Sequence, residues 1–403
     1  MDDYLIETSE FSLHRRSLLP GKGFFYPDSL DEDRTEERIA EAMDGAEAVV
    51  ITDSDADGLG CVALIREARD AALDVAPFEE RLAEKLTDDD PDEDDDESVD
   101  DEPDEGEENG EDELHERSTV ALVASGPGDI EESLELVAKH VEAGTDLFVC
   151  DICPDSYEYV ADDLATLVEV CDEVRWFDHH QWGEGLEHHV RDAGVDLVIG
   201  DSEEECTTDV ALRSLEYEFD ERYVELAEVT RDHDLWLKQD PRSDDLADYA
   251  YWSGPEEYAT IVGEYGAALP ETVLDYVDHR RVEKEQRIEA AVSRANHREI
   301  GDWTVGFTYG RCSQNEVAEA LRKDGCDAAV IVKPSGSASI RGSEGFERCH
   351  EVAGQVNGGG HPKAAGCKPD IYDDMLDMAQ HWTTEGQAAR TVIRRAFESL
   401  VDE

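Results

Sequence analysis

Asp178-His179-His180-Gln181 follows the apolar run Val174-Arg175-Trp176-Phe177, and the junction decides how this chain is read. The apolar run reads as a buried strand. An acid and two imidazoles at its end are a poor packing solution, because carboxylates are almost never fully buried without a partner and imidazole is the commonest metal-ligating side chain. Two earlier strand-like runs also end in aspartates. Ala46-Glu47-Ala48-Val49-Val50-Ile51-Thr52 delivers Asp53-Ser54-Asp55-Ala56-Asp57-Gly58, and Asp146-Leu147-Phe148-Val149-Cys150 delivers Asp151. The three strand ends are expected to meet and hold divalent metal.

Working outward, strand and helix alternate. Thr119–Val123 and Val195–Ile199 read as further strands. Asp129–Ala143 reads as an amphipathic helix with Ile130, Leu134, Val137, Ala138 and Val141 on one face, and a helix capped by Ser156 runs to about Val170. This β-α-β-α order predicts an α/β fold, a parallel sheet with helices on both faces. Ligands in such sheets sit outside the carboxyl ends of the strands, where Asp55, Asp57, Asp151, His179 and His180 all fall. A calcium loop is the rival reading of Asp-x-Asp-x-Asp-Gly. It needs a glutamate six residues after the glycine, and residue 64 is Leu64. Gly58 and Gly60 are expected to let the backbone turn tightly between strand and helix. The polar cluster ending Leu226–Trp236 is a source of one more ligand.

A smaller second domain is expected from about residue 299, with strands Trp303–Thr308, Ala328–Val332 and Ser337–Arg341 and a helix Asn315–Arg322. Asp275–Asn296 reads as a long charged helix joining the two parts. The expected divisions are therefore residues 1–274, 275–298 and 299–403. Asn357-Gly358-Gly359-Gly360-His361 lets backbone amides approach an anion, with Arg341, His361 and Lys363 as further donors.

The formal net charge is -69, from 104 acids against 35 Lys plus Arg. Asp88–Glu113 holds 19 acids in 26 positions and no base, and without it the chain still carries about -50. Low hydrophobicity with high charge reads residues 87–116 as a disordered insertion in the first domain. Acidity spread over the folded parts fits a halophilic protein, since the Debye length falls to about 3 Å at 1 M salt. In such salt, global charge no longer excludes nucleic acid as a partner. Gly21-Lys22-Gly23 lacks the spacing of a phosphate loop, and Leu18–Pro27 reads as an arm packing its aromatics on the domain. The start of the sequence lacks the features of a signal peptide, and no apolar run approaches bilayer length. Nine cysteines without a framework spacing, Cys150-x-x-Cys153 included, fit a reducing cytoplasm.

Together these motifs resemble the DHH phosphoesterase superfamily, in particular its RecJ-like and oligoribonuclease-like branch with a C-terminal DHHA1 domain. Asp53-Ser54-Asp55-Ala56-Asp57-Gly58 looks like its first motif, Asp151 its second, and Asp178-His179-His180 the third. Asp232 lies where a fourth metal-binding aspartate is expected. Gly358-Gly359-Gly360-His361 looks like the glycine-rich signature of DHHA1, and Ser339-Ile340-Arg341 like its arginine strand. Many members carry a histidine two or four residues ahead of the position of Asp55; here Asp53 and Ile51 stand there, which favours manganese or magnesium. The resemblance implies hydrolysis of phosphodiesters with two such ions, Mn2+ or Mg2+, held by Asp53, Asp55, Asp57, Asp151, His179 and Asp232. His180 would act as ligand or acid and Asp178 would orient an imidazole. Arg341, Gly359, Gly360 and His361 would hold a phosphate, with single-stranded DNA or RNA entering a cleft between the domains. Expected partners are such strands or short oligonucleotides, and replication or repair proteins. The alternatives are a phosphatase on short oligonucleotides or a bisphosphorylated nucleotide, and a non-catalytic replication or repair scaffold.

Overall fold

The computed structural model of the chain describes residues 6–8, 15–17, 28–87, 117–126, 129–154, 156–372 and 375–401. The aromatic-rich arm expected at Leu18–Pro27, nearly all of the acidic insertion and Asp155 lie outside the described residues. Two compact units divide between Asp278 and His279.

The first unit opens with a short antiparallel pair, β1 (Ile6–Thr8) and β2 (Arg15–Ser17), followed by α1 (Asp28–Met43). Its sheet comprises β3 (Ala48–Thr52), β4 (Val120–Ala124), β5 (Asp146–Cys150), β6 (Glu173–Asp178) and β7 (Asp196–Ile199). All four pairings are parallel and the spatial order is β4-β3-β5-β6-β7. The connecting helices are α2 (Ala56–Ala68), α3 (Ala76–Thr87), α4 (Ile130–His140), α5 (Tyr157–Val170), α6 (Glu184–Asp192) and α7 (Thr207–Ser214). After β7 the unit is helical, with α8 (Glu221–Asp234), α9 (Arg242–Trp252) and α10 (Pro255–Tyr265).

Alternate strand residues feed two cores. Val50, Phe148 and Phe177 pack toward α2 and α10, while Val49, Ile51, Leu147, Val149 and Trp176 pack toward α1, α4 and α5. Burial on both faces explains the near-continuous apolar strands. Strand order reverses between β3 and β5, and in open α/β sheets that switch point is where ligands bind. Asp53, Asp55 and Asp57 follow β3, and Asp151 follows β5.

Helix α2 is buried from Ala56 through Arg66. Gly58 and Gly60 lie inside this helix and not in a turn before it, which corrects the sequence expectation. A Cβ on Gly58 would stand 2.4 Å from both Asp53 O and Thr52 Oγ1, and one on Gly60 would stand 2.6 Å from Thr208 Oγ1. The glycines therefore allow the helix to approach β3 and α7. The guanidinium of Arg66 closes the packing, donating to both Glu256 oxygens at 2.7 and 2.9 Å and to Val120 O at 3.1 Å.

The helix expected over Asp275–Asn296 runs from Glu271 to Ser293 (α11). Asn296–Ile300 is instead a strand, β8, whose exposed polar side chains gave no strand signal. The second unit continues with β9 (Trp303–Tyr309), α12 (Gln314–Lys323), β10 (Ala328–Val332), β11 (Ala338–Gly342), α13 (Cys349–Gly354), β12 (Gly358–Gly360), β13 (Ala364–Cys367), α14 (Met375–Thr383) and α15 (Gln387–Val401). Its mixed sheet has the order β12-β13-β11-β10-β9-β8, with β9 and β10 parallel and the other pairings antiparallel. No helix among the described residues is long and apolar enough to cross a membrane.

Candidate metal centre

Each carboxylate after β3 is fixed by backbone donors. Asp53 Oδ1 accepts from Ser54 N at 2.7 Å. Asp55 is the N-cap of α2, its Oδ1 accepting from Asp57 N at 2.9 Å and Gly58 N at 3.0 Å. Asp57 turns inward, and its two oxygens accept from Thr207 N and Thr208 N, both at 2.7 Å. These donors begin α7, and a helix N-terminus favours an anion. Thr208 Oγ1 donates back to Asp57 O, and Thr207 Oγ1 donates to Asp151 Oδ1, both at 2.8 Å. The pair Thr207-Thr208 thereby ties the ends of β3 and β5 together. Asp151 sits at φ 59°, a left-handed backbone uncommon outside glycine and tolerated by aspartate.

His179 Nδ1 lies 3.0 Å from Glu205 O. A carbonyl only accepts, so Nδ1 carries a proton, and Nε2 is the ring nitrogen that faces the carboxylates. Nε2 stands 3.5 Å from Asp234 Oδ2, 3.6 Å from Asp151 Oδ1 and 3.9 Å from Asp57 Oδ2. Donor atoms of Asp57, His179 and Asp234 lie within 4.8 Å of one another, as do those of Asp151, His179 and His180. His179 is common to both sets.

Asp178 is fully buried and serves the histidines from behind. Its Oδ1 accepts from His179 N at 2.8 Å and contacts His180 Nδ1 at 2.7 Å, and its Oδ2 accepts from Trp182 Nε1 at 2.7 Å. Burial pushes the Asp178 carboxyl up, but these donors outweigh it and leave it below its ordinary value. Burial also draws His180 down, and the Asp178 bond and charge outweigh it, raising His180 to about 9. The remaining acids behave oppositely. Burial, then the Asp55 charge, raises Asp53 to about 7. Burial followed by the charge of Asp57 raises Asp55, Asp151 and Asp234. Asp234 Oδ2 is buried with no hydrogen-bond partner among the described residues. Crowded carboxylates, an imidazole nitrogen facing them and an orphaned oxygen are a donor set that fits a divalent cation with mixed oxygen and nitrogen preference.

The sequence placed Asp232 in this set, and the structure corrects that. Asp232 Oδ1 accepts from Gln239 N at 2.8 Å, and Oδ2 accepts from Asp240 N at 3.2 Å and Ser243 Oγ at 2.8 Å. The carboxylate caps the loop after α8. Its neighbour Asp234 reaches His179. The helical period does not separate the two: Tyr223, Leu226, Ala227 and Thr230 are buried at spacings that lead to Asp234, but Val229 and Asp232 are buried as well, so only the packing shows which carboxylate reaches His179. Thr207, Thr208 and Trp182 were also missed as site residues. Asp53 and Asp55 are adjacent in sequence and electrostatically linked to the cluster, but neither supplies an atom to the two close donor sets.

In the second unit the glycine triplet is a strand and not a loop. His361 N donates to Ala364 O at 2.6 Å and Lys368 N to Asn357 O at 3.2 Å. Bonded and non-bonded pairs alternate in an antiparallel ladder, so Gly359 pairs through hydrogen bonds with Gly366. The amides of Gly358 and Gly360 then face the open sheet edge, and the amide of Gly359 faces β13. A Cβ on Gly358 would lie 2.1 Å from Gly366 O, and Gly360 has φ +132°. Arg341 and His361 both stand opposite Ala364, in one row on one face of the sheet. Arg341 Nε donates to Asn315 Oδ1 at 2.8 Å, and burial draws its pKa down.

A five-stranded parallel sheet flanked by helices, followed by a unit with a mixed sheet, is the architecture of a DHH domain joined to a DHHA1 domain. The chain is similar in structure to the DHH domain of a protein described as a member of a family of ribosomal proteins, with a TM-score of 0.52, 14% identity, and coverage of 94% of this chain and 93% of that one. It also matches exonuclease RecJ bound to manganese, with a TM-score of 0.47, 14% identity, and coverage of 93% and 96%. RecJ from Thermus thermophilus in complex with Mn2+ matches at a TM-score of 0.47 and 14% identity over 94% of this chain, which spans 55% of that protein. No family model matches the sequence, and no curated protein does.

Proposed function

We propose that this chain is a metal-dependent phosphodiesterase that shortens single-stranded nucleic acid from an end. The observation that carries the reading is the convergence of Asp57, Asp151 and Asp234 on Nε2 of His179. Divalent ions held there, Mn2+ or Mg2+ and two in number, would activate a water and neutralise charge on a phosphoryl group. Thr207 and Thr208 keep Asp57 and Asp151 in place. Asp178 fixes the proton on Nδ1 of His180, and the imidazolium presents its other N–H to a phosphoryl or leaving oxygen. In the second unit Arg341, His361 and the outward amide of Gly360 supply donors for a phosphate of the strand. Asp53 and Asp55 act through electrostatics and the cap of α2. The protein works in the cytoplasm in concentrated salt, where its charge of -69 is screened.

End-labelled DNA and RNA strands of several lengths, digested in molar KCl with Mn2+, test this. Stepwise release of mononucleotides from long strands is expected. Activity confined to the shortest oligomers would replace the exonuclease with an oligonucleotide phosphatase. No metal-dependent hydrolysis of any substrate would leave a replication or repair scaffold.

A further inference from the structure

The loop between β7 and α7, residues 200–206, reaches the metal centre without supplying a side chain to either close donor set. One end is tied to the strand that carries the histidines: Gly200 N donates to Asp178 O at 2.8 Å. The other end presents Glu205 O, 3.0 Å from His179 Nδ1. That carbonyl aims the ring, because the opposite nitrogen, Nε2, is the one facing Asp57, Asp151 and Asp234. The orientation of His179 thus depends on where the backbone of Glu205 stands.

Glu205 is fixed through its own side chain. Its N–H donates to Asp201 O at 2.8 Å and its Oε2 accepts from Asp201 N at 3.2 Å, so the two residues close the loop on each other. Arg213, in the last turn of α7, holds the same carboxylate with a fork: Nε donates to Oε1 at 2.7 Å and Nη2 to Oε2 at 3.1 Å. Two parallel bonds fix a carboxylate's orientation as well as its place, which the point charge of a lysine does not. The Arg213 bond, opposed by burial, and the Asp201 amide hold the Glu205 carboxyl below its ordinary value. Cys206, the next residue, is held separately: its N–H donates to Asp209 Oδ2 at 3.1 Å, and Arg231 Nη1 donates to Asp209 Oδ1 at 2.8 Å. What Arg213 adds is therefore Glu205 itself. Helix α7 in this way serves the centre from both ends. Thr207 and Thr208 hold Asp57 and Asp151, and Arg213 holds the residue that holds His179.

We infer that Glu205 and Arg213 are a positioning pair for His179, an inference that rests on the reading of that histidine as a metal ligand. The forked ion pair keeps the Glu205 carbonyl against Nδ1, and the carbonyl keeps Nε2 turned toward the three aspartates. The side chains of Arg213 and Glu205 are 45% and 27% exposed, and a pair so exposed adds little to stability. Its loss therefore separates positioning from folding.

Two measurements on the full-length protein in molar KCl test the pair. In chelator, nuclear magnetic resonance of protein labelled at the histidine ring nitrogens follows exchange of the His179 Nδ1 proton with water, the signal being assigned by its loss in His179→Ala. In titrations with Mn2+, electron paramagnetic resonance gives the affinity. Arg213→Gln should exchange that proton faster and bind Mn2+ about tenfold more weakly, the low end for a residue that orients a metal ligand. Arg213→Lys, which keeps the charge and loses the fork, should fall between Arg213→Gln and wild type. Adding Arg213→Gln to Glu205→Ala should weaken Mn2+ no further than Glu205→Ala alone, as expected of two residues acting through one contact. The control is Arg348→Gln, which breaks a similarly exposed forked pair with Glu351 in the second unit and should alter neither quantity. Wild-type exchange and affinity in Arg213→Gln, or the same losses in Arg348→Gln, would overturn the inference. A wild type that binds no Mn2+ would instead overturn the metal reading, and the proton exchange alone would then decide whether Arg213 braces His179.

Discussion

Asp234→Asn and Asp232→Ala should change stability in opposite directions, because one aspartate is crowded and the other is capped. Donor oxygens of Asp234 and Asp57 lie within 4.8 Å of each other. Two full charges at that distance repel by about 3.5 kcal/mol at an effective dielectric of about 20. Burial, then the Asp57 charge, raises the Asp234 carboxyl well above its ordinary value, so replacing it with a neutral amide should stabilise the metal-free protein by part of that repulsion, about 1–2 kcal/mol, or about 2–6 °C in Tm. Asp232→Ala strands the two amides and the hydroxyl that now donate to it, and should cost about 1–3 kcal/mol. Manganese should reverse the order of wild type and Asp234→Asn. At about a hundredfold over its Kd, a single bound ion stabilises by about 2.7 kcal/mol. Wild type and Asp232→Ala should both gain this, and Asp234→Asn should lose most of it. Scanning calorimetry of the three proteins in chelator and in Mn2+ reads all six values. A manganese response retained by Asp234→Asn and lost by Asp232→Ala would refute the reasoning.

The pH dependence of the metal-free protein has a definite sign. Asp53, Asp55, Asp151 and Asp234 all have raised pKa values, so the folded state binds more protons than the unfolded chain above about pH 4. Stability from Asp53 should therefore be lost as pH rises from about 4 to about 7, and that from His180 between about 6.5 and about 9. Denaturant melts in chelator across that range should show a steady fall, and a rise would contradict the shifts. Gly60→Ala should cost about 1–3 kcal/mol by overpacking against Thr208, and should weaken manganese binding because Thr208 holds Asp57; equilibrium melts and titration of the variant check both. Trp182→Phe removes one donor from Asp178 and should lower turnover by about tenfold with little change in manganese affinity, as steady-state assays and metal titration would show.

Much of the fold was legible because strands buried on both faces write themselves as apolar runs. Ala328–Val332 and Asp146–Cys150 have the bounds read from the sequence. The parallel sheet followed from strand and helix alternation. Strand β8 was not legible, since Asn296-His297-Arg298-Glu299 is polar and exposed, and ladder hydrogen bonds leave no mark on side-chain pattern. Nor was β12, where close approach to β13 requires glycine and the sequence looks like a loop. Within the site, residues at strand ends were visible because topology places them together. Asp234 and the Thr207-Thr208 pair come from helices later in the chain, and only their packing shows which side chain faces inward.

The central claim is that the ends of β3, β5 and β6, with Asp234, form a cation site around His179. Equilibrium Mn2+ binding, followed by the loss of the free-ion electron paramagnetic resonance signal, measures it directly. Wild type should bind the ion stoichiometrically, and His179→Ala, though folded, should bind at least a hundredfold more weakly. Equal binding by the two proteins, or none by either, would contradict the account.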